Sequence, residues 1–180
     1  MSLGRRQLQV AAALLSLASA AEAATDGALA RRSTGDIVVR LKIDQGIQIT
    51  RLRDIHLRVN LASAQSSAVY AQRFCVRSNF DAFYRLTAFS DGGGSAPFTL
   101  TSPGGDTLRY WLTFTGRLDS DVLTQLEPAV PSPAYPVRAS GIDCDGEPNA
   151  QFKLTIPASE LLRARDSEYA GFLQLSVAIE

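Results

Sequence analysis

The feature that most constrains this chain is an alternation of apolar and polar residues with a period of two. In residues 36–43 the odd positions Ile37, Val39, Leu41 and Ile43 are apolar, and Arg40 and Lys42 stand on the other face. Successive side chains of a β-strand point to opposite faces, so this pattern predicts a strand with one buried and one exposed face. Similar segments recur between turn residues, at about the 8–12-residue spacing typical of a β-sandwich.

Counted along the chain, these segments predict eight or nine strands. They are residues 36–43, 47–52, 55–61, 72–79, 82–89, 97–101, 107–114, 151–157 and 173–179. The glycine-rich stretches 90–95 and 102–106 predict turns on either side of one strand. The sequence therefore predicts an all-β fold, an immunoglobulin-like antiparallel β-sandwich.

Two segments depart from this pattern. Residues 128–136 contain four of the eight prolines, and proline cannot donate to a central ladder, so we expect a connecting loop there. A Pro-rich docking site for a partner domain is the alternative. Residues 158–166 favour one short helix, with Ser159 as its N-cap.

The N-terminus has the features of a secretory signal peptide. Arg5 and Arg6 precede an apolar run at 10–20, and residues 21–23 form an A-x-A pattern, which predicts cleavage after Ala23. Twin-arginine export is the alternative use of the arginine pair. The run is too short to span a bilayer, so we expect an exported protein without stable membrane insertion. The predicted organisation is a signal peptide at 1–23, a flexible arm at 24–35 and one sandwich domain at 36–180.

Composition excludes some classes of protein. The hydrophobic content of 46% excludes a disordered chain. After removal of residues 1–23, 16 basic and 17 acidic residues remain, and this balance does not call for a nucleic-acid partner. Residues 31–58 are rich in basic side chains and residues 119–147 in acidic ones. This uneven distribution of charge would suit head-to-tail contact between copies of the chain. The alternative is that the charges are segregated by chance on a solvated surface.

The sequence contains two cysteines, Cys75 and Cys144. In an exported protein an isolated pair predicts a disulfide. Closing a loop of this length stabilises a fold by about 4 kcal/mol in the chain-entropy model. The alternative, a thiol nucleophile, would need the single histidine, His56, as its base.

Residues suited to catalysis or metal binding are few. One histidine excludes a multi-histidine metal site. Asp143, Asp145 and Glu147 offer oxygen ligands for calcium without the spacing of a known loop, and a solvated acidic turn is the alternative. We therefore expect no cofactor and no enzymatic activity.

Adjacent aromatic residues, Tyr110 and Trp111, are the candidates for stacking on a ligand. Neighbouring residues of a strand face opposite ways, so one of the two is expected in the core and the other at the surface. We expect Trp111 in the core.

The order of several pieces resembles a known family. Residues 74–79 (FCVRSN) precede residues 84–88 (YRLTA), a glycine-rich turn, residues 108–114 (LRYWLTF) and a second cysteine. The chain then continues with NAQFKLTIPASELL and YAGFLQLSVAIE. This order resembles the small secreted subunits of chaperone–usher fimbriae, of the alternative and archaic types that include spore-coat-U-like domains. The additional cysteines that such domains often carry near the first strand are absent here.

The resemblance implies a sandwich that lacks its final strand. In such subunits a periplasmic chaperone first fills the gap, and the N-terminal segment of the next subunit then replaces it. The C-terminal strand would form one wall of the acceptor groove, with Tyr169, Phe172, Leu173, Leu175, Val177, Ile179 and Glu180. Ile37, Val39, Leu41 and Ile43 are the donor-strand candidates, and the alternative is that they form the first strand of a complete sandwich.

Three functions follow as hypotheses. The first is a structural or adhesive subunit of a bacterial surface fimbria, with a periplasmic chaperone, an outer-membrane usher and other pilus subunits as partners. The second is a stand-alone secreted or periplasmic binding module, for carbohydrates through Tyr110 or Trp111. The third is a secreted hydrolase that uses a pair of carboxylates.

Overall fold

The computed structural model describes residues 26–60, 65–91, 94–120 and 122–180, and the predicted signal peptide lies outside them. The chain divides into two units, Met1–Ile43 and Asp44–Glu180. Within the first unit, residues 26–43 are exposed and form no strand. The strand predicted at 36–43 is therefore wrong for this state of the chain, because an alternating pattern becomes a strand only where an edge pairs with it.

The second unit is built almost entirely of strands. They are β1 (Ile47–Thr50), β2 (Ala68–Ser78), β3 (Ala82–Phe89), β4 (Thr99–Thr101), β5 (Thr107–Arg109), β6 (Trp111–Thr115), β7 (Thr124–Leu126), β8 (Tyr135–Val137), β9 (Ala150–Ile156) and β10 (Gln174–Ile179). One helix, α1 (Ala158–Arg163), follows β9.

These strands form three antiparallel sheets. The five-stranded sheet has the order β1-β2-β9-β6-β7, the three-stranded sheet has the order β10-β3-β8, and β4 pairs with β5. Side chains from the two larger sheets meet in one hydrophobic core, where Phe114 of β6 lies edge-on to Tyr135 of β8 with ring centroids 5.2 Å apart. The predicted all-β sandwich is confirmed.

Alternation explains why these segments bury one face. In β9 the side chains of Phe152, Leu154 and Ile156 are buried, while the residues between them are partly exposed. The neighbouring strands β2 and β6 pair with β9 on both sides, so its apolar face is held against the core along its whole length.

The predicted disulfide is present. Cys75 in β2 and Cys144 are bonded, with their Cα atoms 5.9 Å apart. Cys144 lies in a tight turn, Ile142–Gly146, where three successive residues have a left-handed backbone. The bond fixes this turn against the outer side of β2.

Some local predictions are wrong. Residues 55–61 were expected to form a strand, but residues 51–60 form none, and Leu61 lies outside the described residues. The proline-rich stretch contains a short strand, β8, which tolerates Pro136 because β8 is at the edge of its sheet. Ser159 does not cap α1: Pro157 takes the N-cap position, and its carbonyl accepts the Glu160 and Leu161 amides.

Candidate functional site

The strand β10 is an edge of the three-stranded sheet. It pairs with β3 from Gln174↔Phe89 to Ile179↔Tyr84, and in the described part of the chain no other strand pairs with it. Leu173, just before the strand, and Leu175 and Val177 within it pack against the core, yet they are only partly buried, unlike the inward-facing residues of β9. One side of β10 therefore offers both backbone pairing groups and apolar surface.

The opposite edge of the same sheet is covered. The proline-rich stretch runs along β3, and Ser132 and Ala129 donate backbone N–H groups to the carbonyls of Leu86 and Ala88, both at 2.8 Å. Ser132 is buried, and its hydroxyl accepts the Leu86 amide at 3.0 Å. Prolines and covering loops prevent strand addition at an edge. In the described residues, this kind of protection is found on the β8 side of the sheet.

A segment without regular pairing faces β10 across a gap. Arg51 follows β1 with a φ of 66°, a left-handed backbone that ends the pairing of β1 with β2. Residues 52–60 then continue without a ladder, while Ile55 and Leu57 pack against the core and His56 is exposed. From Arg51 onward the chain therefore leaves the edge of β2, and residues 52–60 lie on the far side of the gap from β10.

Between these two walls lies a groove of about 1100 Å³. We use the name groove for this space, with residues 52–60 and 164–175 as its walls. Its floor is formed by side chains of β2, β9, β5 and the residue after β5, namely Gln72, Phe152, Leu154, Ile156, Leu108 and Tyr110. Leu161 of α1 lies at one end. All of these residues belong to the unit Asp44–Glu180.

The wall before β10 is held in place by hydrogen bonds to the β4–β5 hairpin. Thr101 and Ala170 exchange two backbone bonds, of 2.7 and 3.0 Å. The Tyr169 hydroxyl donates to Asp106 Oδ2 at 2.5 Å and accepts the Arg165 amide at 2.9 Å. The hydrogen bond from Tyr169 lowers the pKa of the Asp106 carboxyl. The wall is therefore positioned before anything binds.

The structure brings together part of the predicted acceptor set. Tyr169, Phe172, Leu173 and Leu175 line the groove. Val177 and Ile179 continue β10 beyond it, and the Glu180 carboxylate forms an ion pair with Arg85.

Sequence reasoning missed the second wall and the polar residue on the floor. Gln72 faces inward with Phe74 and Val76, as their shared parity in β2 shows. A polar residue on the apolar face of an alternating strand was the signal that could have identified it. For residues 52–60 no comparable signal exists, because their alternation is equally compatible with a paired strand.

One of the two adjacent aromatic residues is buried and the other exposed, as predicted, but the expectation that Trp111 is the buried one is wrong. Tyr110 is buried, at 2% exposure, and stacks on Phe98 with ring centroids 5.5 Å apart. Trp111 is 49% exposed on the outer side of β6, across from Thr155. Alternation continues through Tyr110, because Leu108 before it and Leu112 after it are also buried, and the indole of Trp111 is left on the outer side.

The donor-strand candidates lie in the first unit, Met1–Ile43, where Ile37, Val39, Leu41 and Ile43 are between 61% and 88% exposed. Burial of such exposed apolar side chains by a partner is energetically favourable.

Comparisons of the chain with family models, with curated proteins and with solved structures found no match. In the part of the chain that the structure describes, no helix is long and apolar enough to cross a membrane. The described residues also contain no group of three or more His, Cys, Asp or Glu side chains arranged to hold a metal ion. The site is therefore defined by its geometry: an antiparallel β-sandwich with an exposed strand edge beside an apolar groove.

Proposed function

We propose that this chain is a structural or adhesive subunit of a bacterial surface fimbria that assembles by donor-strand complementation. The observation that carries the proposal is the free edge of β10 beside the groove. A ligand for such a site is an extended polypeptide, which pairs with the strand edge and places alternate side chains on the floor.

Residues 36–43 of another copy have the form that this site requires. Apolar side chains recur at every second position, at Ile37, Val39, Leu41 and Ile43. Full burial of one such side chain contributes about 1.5–3 kcal/mol. Ordering one residue of a flexible segment costs about 1–2 kcal/mol, and only every second residue of 36–43 is buried, so the apolar contacts offset only part of the ordering cost. The ladder hydrogen bonds must contribute the rest and any net affinity.

The resemblance to chaperone–usher subunits supports the remaining parts of the proposal. The protein is exported to the periplasm, where a chaperone covers the groove, and an outer-membrane usher catalyses its replacement by the next subunit. The disulfide Cys75–Cys144 suits an oxidising compartment of this kind.

A mixing experiment tests the polymerising role. Val39→Asp with Leu41→Asp disables the arm and leaves the groove intact, while Leu173→Asp disables the groove and leaves the arm intact. We expect each variant alone to be monomeric in multi-angle light scattering, and their mixture to give only a 1:1 dimer. The unmodified chain gives longer assemblies.

Val38→Asp and Ser176→Asp are the matched controls, since Val38 alternates with the donor residues and Ser176 is exposed on the outer side of β10. Both are expected to keep assembling. An unmodified chain that is a monodisperse monomer with a single cooperative unfolding transition, without a chaperone, contradicts the proposal.

A binding module for carbohydrates is the second candidate, and the exposure of Trp111 favours it. The indole lies beside Thr155 on the outer face of the five-stranded sheet, with Lys153 and Thr113 in the next row. An exposed aromatic ring flanked by hydrogen-bonding groups suits the apolar face of a sugar. A glycan array with Trp111→Ala as the comparison variant tests it, with Tyr110→Phe as a control for the buried ring.

A further inference from the structure

Residues 37–49 have the sequence of a β-hairpin. Residues 44–46 (DQG) stand between two segments that are apolar at odd positions. A three-residue hairpin loop commonly ends in a residue with a left-handed backbone, which glycine adopts most easily, and Gly46 stands at that place. With this loop the apolar side chains of the two segments share one face, and the opposing pairs are Ile43 with Ile47 and Leu41 with Ile49.

The structure shows a different conformation at the loop of this hairpin. Residues 44–46 form no turn. Among the described glycines a positive φ is found at Gly94, Gly105 and Gly146, and so not at Gly46. The loop residues are therefore present in the sequence but do not turn the chain in this state.

Asn79, directly after β2, holds residues 44–46 in this conformation. Its Nδ2 donates to the Asp44 carbonyl at 2.9 Å, and its Oδ1 accepts the Gly46 amide at 2.7 Å. The backbone N–H of Asn79 donates to the Gly46 carbonyl at 3.3 Å. Alternate residues of an extended strand direct their backbone groups to the same side, so residues 44–46 continue β1 in line. A hairpin loop at these residues would break the bonds to Asn79.

The strand β1 has an edge that could receive the other half of the hairpin. It is the last strand of the five-stranded sheet, and in the described part of the chain no strand pairs with its other side. Its inward-facing residues Ile47 and Ile49 pack against the core but are only partly buried. β10 of the other sheet approaches β1 here, so an added strand would part the two and lie against the free edges of both.

We propose that segment 36–43 has a closed state, in which it folds back through residues 44–46 as a β-hairpin on β1, and that Asn79 opposes this state. The hairpin follows from the sequence spacing and from the free edge of β1, and the bonds from Asn79 hold the extended alternative. In the closed state the apolar residues of the segment are covered by its own chain and are not available to another copy. Only this last consequence rests on the proposed function.

Hydrogen exchange followed by mass spectrometry tests the hairpin. The protein is the full chain carrying Leu173→Asp, whose groove cannot receive a strand from another copy. We expect the amides of residues 37–43 to exchange rapidly in this chain, and about tenfold more slowly after the further change Asn79→Ala. Because the hairpin forms within one chain, the slowing should be the same when the protein is diluted.

Two variants separate the hairpin from a general effect on β1. Gln48→Ala removes the side-chain bond between Gln48 and Arg77 on the same pair of strands but leaves residues 44–46 held, and it should not slow exchange. Gly46→Val combined with Asn79→Ala should abolish the slowing, because a β-branched residue resists the left-handed backbone. Exchange of the β9 amides reports in every sample that the domain is folded.

If Asn79→Ala does not fold, Asn79→Asp replaces it, since a carboxylate still accepts the Gly46 amide but cannot donate to the Asp44 carbonyl; a smaller slowing is then expected. Equal exchange of residues 37–43 with and without Asn79 in a folded domain overturns the inference. Slowing that persists with Gly46→Val overturns it as well. The groove is disabled in every sample, so these outcomes leave the proposed function to the mixing experiment.

Discussion

Gly116 is a position where one added methyl group meets two aromatic rings. A Cβ atom there would lie 2.6 Å from Tyr135 Cγ and 2.6 Å from the Tyr84 hydroxyl. Both tyrosines belong to the three-stranded sheet, while Gly116 directly follows β6 of the other sheet. The glycine therefore permits close approach between the two sheets.

Gly116→Ala is expected to lower the free energy of unfolding by about 1–3 kcal/mol, because overpacking forces neighbouring side chains or backbone to move. Urea denaturation followed by circular dichroism measures the change. Gly46→Ala is the matched control, since the nearest atom to its Cβ would be Asn79 Oδ1 at 3.9 Å. Equal destabilisation by the two substitutions would falsify the packing explanation.

Tyr110 makes stability depend on alkaline pH. Its burial, with a smaller contribution from the Asp91 carboxylate, raises the pKa of the phenol to about 12. Burial also raises the pKa of Tyr84. A phenol ionises at about 10 in the unfolded chain. The stabilising contribution is therefore complete below pH 10 and is lost as the pH rises toward the folded-state values.

We expect the free energy of unfolding to fall by about 1.4 kcal/mol per pH unit for each of these tyrosines between pH 10 and 12. Tyr110→Phe removes one of the two contributions, so its stability should decline less steeply. Urea midpoints measured from pH 8 to pH 11.5 give the comparison. Parallel curves for the two proteins would show that Tyr110 does not titrate with unfolding.

At the scale of elements, residues 52–60 are held by side chains rather than by a ladder. Ile55 and Leu57 pack on the core, but no strand pairs with this segment in the described part of the chain. Proteases need a locally extended, unpaired chain, and segments with few backbone bonds open at low free-energy cost. Local opening is therefore expected here before β2 opens.

Limited trypsin digestion should cleave the second unit first after Arg53 and Arg58, and later after Arg73 and Arg77, which lie in β2. Mass spectrometry of timed samples identifies the sites. Cleavage at Arg73 as fast as at Arg58 contradicts the prediction.

Strands with strict alternation were predictable from the sequence. The segments of β2, β3, β9 and β10 were identified because each has an apolar face that packs on the core. β7 was not predicted, since three residues are too few to show a period. For residues 55–61 a strand was predicted but none forms over residues 55–60. The left-handed backbone at Arg51, which ends the pairing, depends on tertiary contacts that no local pattern reports.

At the scale of the whole molecule, the proposed donor-strand complementation predicts that stability depends on protein concentration. A partner that binds only the folded state stabilises it by mass action. Once the groove is mostly occupied, the free energy of unfolding should increase by about 1.4 kcal/mol for each tenfold increase in protein concentration. We therefore expect the unfolding temperature of the unmodified chain to rise with concentration.

Differential scanning calorimetry over a hundredfold range of concentration measures this dependence. The variant with Val39→Asp and Leu41→Asp is the control, and its unfolding temperature should stay constant. A constant value for the unmodified chain would mean that copies do not stabilise one another.

The site was predictable only in part. Alternation predicted the apolar face of β10, and the resemblance implied that this strand forms one wall of a groove. The donor role of residues 36–43 stays a prediction. The groove itself arises from the path of residues 52–60 and from the contact between the β4–β5 hairpin and Ala170. Both depend on how distant segments pack, and that information is not local to any stretch of sequence.

The short strand β1 would transmit force in the fibre proposed for these subunits. Tension on residues 36–43 passes within a few residues to Ile47–Thr50, which pair antiparallel with Ser78–Cys75. Pulling along this strand loads its ladder in shear, so its hydrogen bonds must break together rather than one at a time. Cys75 faces Thr50 in the register and is covalently tied to Cys144. The crosslink therefore anchors the strand against which the force acts.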